Sequence, residues 1–158
     1  RQAFYPPDIG SFKCDVLVNR ANMALENVQW EAVPAMLNTR YSLDGFDLVI
    51  GAVDNRAARL AILRALENCS SGVRYWLDTG NRASDGQVVL GQVPSRNKSK
   101  DDPMRLPHIA EFYPELIDSA AEDQDNTPSC SLAEALEKQS LYINTTVSDF
   151  AANLLWML

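Results

Sequence analysis

The sequence predicts an α/β fold built on a parallel sheet, and three stretches carry that prediction. Phe46 to Val53 is a nearly continuous apolar run, Phe-Asp-Leu-Val-Ile-Gly-Ala-Val. Runs of that kind belong to strands covered on both faces, as in the middle of a parallel sheet. Behind it, Arg56 to Cys69 places Ala57, Leu60, Ala61, Leu63, Ala65 and Leu66 at helical spacing. Val73 to Leu77 is a second apolar run, ending in Asp78-Thr79-Gly80-Asn81. Strand, helix and strand joined by short connections make a parallel crossover.

The flanking segments extend this core. Arg1 to Gly10 reads as a loop, with a turn at Pro6-Pro7-Asp8. Ser11 is a plausible N-cap for an amphipathic helix, because Phe12, Val16, Leu17, Ala21, Ala24 and Leu25 share one face. Val28 to Val33 alternates and predicts a short strand nearer a sheet edge. Pro34 to Asn38 is a brief helix or turn, and Tyr41 to Gly45 a loop. Ser70-Ser71-Gly72 closes the helix that ends at Cys69. After Asp85-Gly86, the run Gln87 to Val93 predicts a strand returning as a hairpin.

Residues 94–128 are polar, proline-bearing and acidic, and read as a surface excursion with one short helix near His108 to Tyr113. His108 is the only histidine and reads as a loop residue rather than a catalytic base. Ser131 and Glu134 stand in capping-box spacing at the start of a further helix. In the last helix, Ile143, Val147, Phe150, Ala151, Leu154, Leu155 and Leu158 form a broad apolar face. That face must pack on the sheet or on another subunit. The chain therefore reads as one domain: an α/β core (1–93), a crossover loop (94–128) and C-terminal helices (129–158).

Bulk properties narrow the functional classes. At 158 residues and 46% apolar content, the chain can bury a real core. A net charge of −7 argues against a general nucleic-acid surface, which needs a basic patch. No apolar run approaches the ~20 residues of a membrane span. Cys14, Cys69 and Cys130 are far apart and form no CxxC pair. They suit a reducing cytoplasm, and no zinc site is expected.

Three positions invite chemistry. Asp54 lies at the carboxyl end of the first core strand, where open α/β sheets bind ligands. A carboxylate there is either a helix cap or a ligand for a hard cation. Lys13 lies in the first turn of its helix, against the helix dipole. It is either a solvated lysine or a cation that shares a phosphate with the helix N-terminus. Cys130 precedes a helix, and it is either a small apolar residue or an activated thiol.

Taken in order, several motifs resemble those of the E1-like activating family. They are Arg1-Gln2, Ile9-Gly10 with Lys13, Asp54-Asn55 with Arg59, Gly86-Gln87-Val88, and Cys130 with Glu134-Ala135. The resemblance is to the bacterial ThiF/MoeB/HesA branch, in particular to the ThiF-like proteins of PRTRC systems, and it covers most of the chain. It implies a Rossmann-like nucleotide-binding fold and adenylation by Mg-ATP. The acceptor implied is the C-terminal glycine carboxylate of a small ubiquitin-like protein, and the assembly implied is a homodimer. By matching position, Arg1 and Lys13 would contact the ATP phosphates, Asp54 would hold magnesium, and Asn55 would be a further cofactor-binding residue. Cys130 would take the activated acyl group in members that form such a link.

The sequence departs from the family in two ways. It lacks the strand, glycine-rich loop and helix that cradle the nucleotide, so the fold is expected to be incomplete. It also lacks the paired CxxC motifs that bind zinc in many members. With its abrupt ends at Arg1-Gln2 and Trp156-Met157-Leu158, the chain is expected to be a segment of a longer protein. Two other classes compete with the enzyme. One is a nucleotide-fold subunit that has lost catalysis and serves in binding or dimerisation. The other, a dinucleotide-binding dehydrogenase, is disfavoured because the sequence has no GxGxxG.

Overall fold

The computed structural model describes residues 4–38, 41–70, 73–82, 84–94, 103–118 and 142–158. The chain divides into two compact units, Arg1–Met36 and Leu37–Leu158. Arg1, Cys130 and the helix expected after Ser129 lie outside the described residues, as does most of the polar excursion.

The first unit is organised by side chains more than by a core. Helix α1 (Lys13–Ala24) forms where the periodicity predicts, but none of its residues is buried. Its N-cap is Phe12 rather than Ser11, and no side chain caps it. Before it, Pro6–Asp8 forms a turn of 3-10 helix. Asp8 ties that turn to α1, accepting from Arg20 at 2.7 Å and from the Tyr5 backbone N–H at 2.7 Å. The Arg20 guanidinium also lies 5.0 Å from the centre of the Tyr5 ring.

The strand expected at Val28 to Val33 does not form. The Asn22 amide donates to the Trp30 carbonyl at 2.9 Å and accepts from the Trp30 N–H at 2.8 Å. Both backbone groups of Trp30 are thus satisfied by one side chain, which removes the need for a strand partner.

The second unit holds the sheet. Among the described residues it has three strands in the order β1 (Leu48–Gly51), β2 (Tyr75–Asn81) and β3 (Gly86–Gln92). β1 runs parallel to β2, with Leu48 opposite Tyr75 and Gly51 opposite Asp78. Helix α2 (Arg56–Asn68) makes the crossover between them. β3 returns antiparallel to β2, with Asn81 opposite Gly86, so the hairpin expected from Asp85-Gly86 is present. The fold is mixed α/β, with a mixed rather than wholly parallel sheet.

The strand order corrects one expectation. The Phe46–Val53 run is not the middle of the sheet; among the described residues β1 stands at an edge, and only Leu48–Gly51 is strand. Ile50 is 54% exposed, while Trp76 and Leu77 of β2 are fully buried. The reason lies in how the helices cover the two faces. On one face, Ile62 and Leu66 of α2 pack with Trp76, and with Ile109 and Ala110 of α3 (Ile109–Phe112). On the other face, α4 (Ile143–Met157) packs against β2 and β3. Ile50 pairs with Leu77 and shares that second face, but it lies beyond the strands that α4 covers.

Two glycines allow this packing. A Cβ on Gly86 would meet the Val147 side chain of α4 at 2.6 Å, and one on Gly91 would meet the His108 backbone nitrogen at 2.5 Å. The His108 segment can therefore lie directly on β3. His108 itself is not an ordinary loop residue: it is 6% exposed, and its ring centre is 5.5 Å from that of Trp76. Its Nε2 lies 3.4 Å from Glu111. Glu111 in turn accepts from Arg105 at 2.8 Å and from the His108 backbone N–H at 2.9 Å. Arg105 also donates to the Gln92 carbonyl of β3 at 3.1 Å, which fastens this segment to the sheet.

Candidate functional site

The candidate site is the connection between β1 and α2. β1 ends at the buried Gly51, and the chain then passes through Ala52 and Val53 to Asp54 and Asn55. Asn55 is the N-cap of α2, with extended backbone at φ −135° and ψ 160°. Its side-chain oxygen accepts from the Ala58 N–H at 2.8 Å, which satisfies one of the unpaired donors of the first helical turn. Its side-chain nitrogen donates to Asp54 Oδ1 at 3.3 Å. The capping role therefore belongs to Asn55, and Asp54 stands one residue earlier, exposed at the strand's carboxyl end.

The connection is anchored from behind by β2. Arg59, one turn into α2, is 5% exposed. Its Nε donates to both carboxylate oxygens of Asp78 at 3.2 Å, and its Nη2 donates to the Val53 carbonyl at 3.0 Å. Beside it, Thr79 Oγ1 donates to the Gly51 carbonyl at 3.1 Å. Two residues of β2 thus hold two carbonyls at the end of β1, one directly and one through Arg59. A Cβ on Gly80 would lie 2.5 Å from Arg59 Nη2, so the absent side chain is what admits the guanidinium.

Asp78 is fully buried. Burial pushes its carboxyl above the usual carboxylate range, and the Arg59 guanidinium, with a hydrogen bond from Gln87, pulls it part of the way back. The sequence reading treats Asp78 as the end of a strand and Arg59 as one mark of a resemblance, and misses their pairing. A signal was present: a carboxylate directly after Trp76-Leu77 in an apolar run needs a partner if the strand is buried.

Lys13 is the first residue of α1 in the first unit and is exposed. Asp54 and Asn55 are in direct contact in the second unit. Arg1 and Cys130 lie outside the described residues. Of the two described cysteines, Cys14 is partly buried, and burial pushes the Cys69 thiol up, away from the thiolate form that reacts.

The donor set at Asp54 suits one kind of metal better than another. Among the described residues, no three His, Cys, Asp or Glu side chains converge on a point. A closed structural metal site needs such convergence. Magnesium needs only one or two carboxylates, its other positions being filled by phosphate oxygens and water. An exposed carboxylate beside a helix N-terminus fits that role, because the helix end attracts the phosphate while the carboxylate attracts the ion. Among the described residues, no helix is long and apolar enough to cross a membrane. Comparison of the chain with family models, with curated proteins and with solved structures finds no match.

Proposed function

We propose that the chain carries the metal- and phosphate-binding edge of an E1-like adenylating enzyme. It would use Mg-ATP to activate the C-terminal glycine carboxylate of a small ubiquitin-like protein. The observation that carries this reading is the exposed Asp54 carboxylate at the carboxyl end of β1, next to the N-terminus of α2 in a parallel crossover. That is the edge at which open α/β sheets bind their ligands.

In this reaction a carboxylate oxygen attacks the α-phosphorus of ATP. The bond to the bridging oxygen breaks, and pyrophosphate leaves with the electron pair. Two anions must approach one another, so positive charge has to offset the repulsion. Magnesium, when bound, supplies part of that charge and Asp54 would hold it. Further cations would supply the rest at the phosphates, the role that the resemblance gives to Arg1 and Lys13, and Asn55 would orient Asp54. Cys130 would accept the acyl group in a later thiol step. The setting would be the cytoplasm, from the cysteine usage, and the assembly a homodimer, by the same resemblance.

The test is pyrophosphate exchange into ATP by the full chain, driven by a ubiquitin-like protein ending in glycine. Exchange should depend on that carboxylate. Asp54→Ala should lower it by about 10²-fold or more, the scale of removing one charge-stabilising group. Equal exchange by wild type and Asp54→Ala overturns the reading.

A second reading, a binding or dimerisation subunit without catalysis, is favoured by the exposed apolar residues of α4. Phe150 is 63% and Trp156 90% exposed. Under that reading no exchange occurs, and Phe150→Ser with Trp156→Ser changes the sedimentation coefficient of the chain.

A further inference from the structure

We infer that Arg59 is a positioning residue for Asp54, acting through the peptide bond that joins Val53 to Asp54. The inference rests on the reading of Asp54 as the magnesium ligand. The Val53 carbonyl belongs to the same rigid plane as the Asp54 N–H. Arg59 Nη2 donates to that carbonyl at 3.0 Å, while its Nε is held between the two oxygens of Asp78 at 3.2 Å. Asp78 is fully buried in the middle strand, opposite Gly51. The connection is thus referenced to the most deeply buried strand of the sheet, one residue before the group that would meet the cation. Thr79 holds the Gly51 carbonyl in the same way at 3.1 Å, so the end of β1 is fixed at two points.

A buried ion pair alone does not require this arrangement. Neutralising Asp78 needs only the guanidinium charge, and a hydrophobic pair of similar volume is often as stable. A buried guanidinium must place the donors its carboxylate does not take, and one of them goes to the carbonyl that immediately precedes Asp54. This is a charge-assisted bond to a backbone oxygen, the stronger class of hydrogen bond. Gly80 completes the device: a Cβ there would meet Nη2 at 2.5 Å and crowd the Gln87 amide as well.

Two variants separate positioning from charge burial. Arg59→Met with Asp78→Leu removes the ion pair together with the hold on Val53, leaving no lone charge behind. Gly80→Ala keeps both charges and sets a methyl group against the side-chain ends of Gln87 and Arg59, so that Nη2 must shift relative to Val53; Gln87→Ala, which leaves Arg59 in place, controls for the Gln87 contact. Two measurements are made on the full chain: amide hydrogen exchange, and Mn²⁺ binding read by paramagnetic broadening of amide resonances.

Both variants should speed exchange at the amides of residues 58 and 59, which are bonded to Asn55, by about tenfold, the effect of losing one charged hydrogen bond, with exchange in β2 and β3 little changed. Mn²⁺ affinity at Asp54 should fall by a similar factor. If the double variant fails to fold, Gly80→Ala alone decides. Unchanged exchange at residues 58 and 59 in a folded variant overturns the positioning role and leaves Arg59 as a counter-ion only. Faster exchange with undiminished Mn²⁺ binding overturns it as well. Wild type without Mn²⁺ broadening at Asp54 overturns the magnesium reading instead. The exchange measurement then still decides whether Arg59 holds the connection.

Discussion

At the scale of single residues, small chemical differences divide the work. Asp54 and Asn55 are adjacent and similar in size, yet Asn55 caps α2 and Asp54 does not. An amide can accept from Ala58 and donate to Asp54 at once, whereas a carboxylate can only accept. Asn55→Ala should therefore cost about 1 kcal/mol, the usual loss of an N-cap, seen as a lower urea midpoint with an unchanged slope. Gly91→Ala should cost more, about 1–3 kcal/mol for forced overpacking. Its Cβ would press on the His108 backbone, and backbone cannot swing aside as a long side chain can. None of this pairing was legible in the sequence. The residues that would form the site could be named, but a hydrogen bond between neighbours depends on backbone angles that residue type does not specify.

At the scale of elements, periodicity was a good guide where one helix face meets one sheet face. α2 was expected from Arg56 to Cys69 and runs from Arg56 to Asn68. The β2–β3 hairpin and α4 were legible for the same reason. Val28 to Val33 alternates as well, but a side-chain amide took the bonds that a neighbouring strand would have made. The short helix α3 depends on a surface ion pair. Arg105 and the His108 N–H hold the Glu111 carboxyl down at about 2, against an ordinary value of 4.5. A depressed carboxyl stabilises the fold above its unfolded value, and that contribution fades as pH falls from about 4.5 towards about 2. Because the pair is partly exposed, its contribution should be about 1 kcal/mol and not the full shift. Acid unfolding of Glu111→Gln compared with wild type checks this: the two should differ at neutral pH and converge near pH 2.

At the scale of the whole molecule, β2 rather than β1 is the organising strand of the second unit. It pairs on both sides and carries Trp76, Leu77 and Asp78, all fully buried. Amide exchange should be slowest across Trp76 to Thr79 and faster in β1, since opening free energies rise towards the buried core. Protection greater in β1 than in β2 would contradict the strand order. Trp76→Ala should cost about 3–5 kcal/mol, the range for emptying a large core site, measured by denaturant unfolding.

By itself, the sequence determined where α2, α4 and the β2–β3 hairpin lie, though not the bounds of β1 and β2, and it pointed to Asp54 as an acid at a strand's end. Those properties follow from local spacing and from the polarity of neighbouring residues. Only the tertiary structure decided which strand lies in the middle, why Ile50 is left exposed, and that Asp78 has a cation to meet. These depend on contacts between residues far apart in the chain: Arg59 meets Asp78 only because the crossover brings α2 over β2. A pattern of apolar residues states that a face will be covered, and only the packed fold states by what.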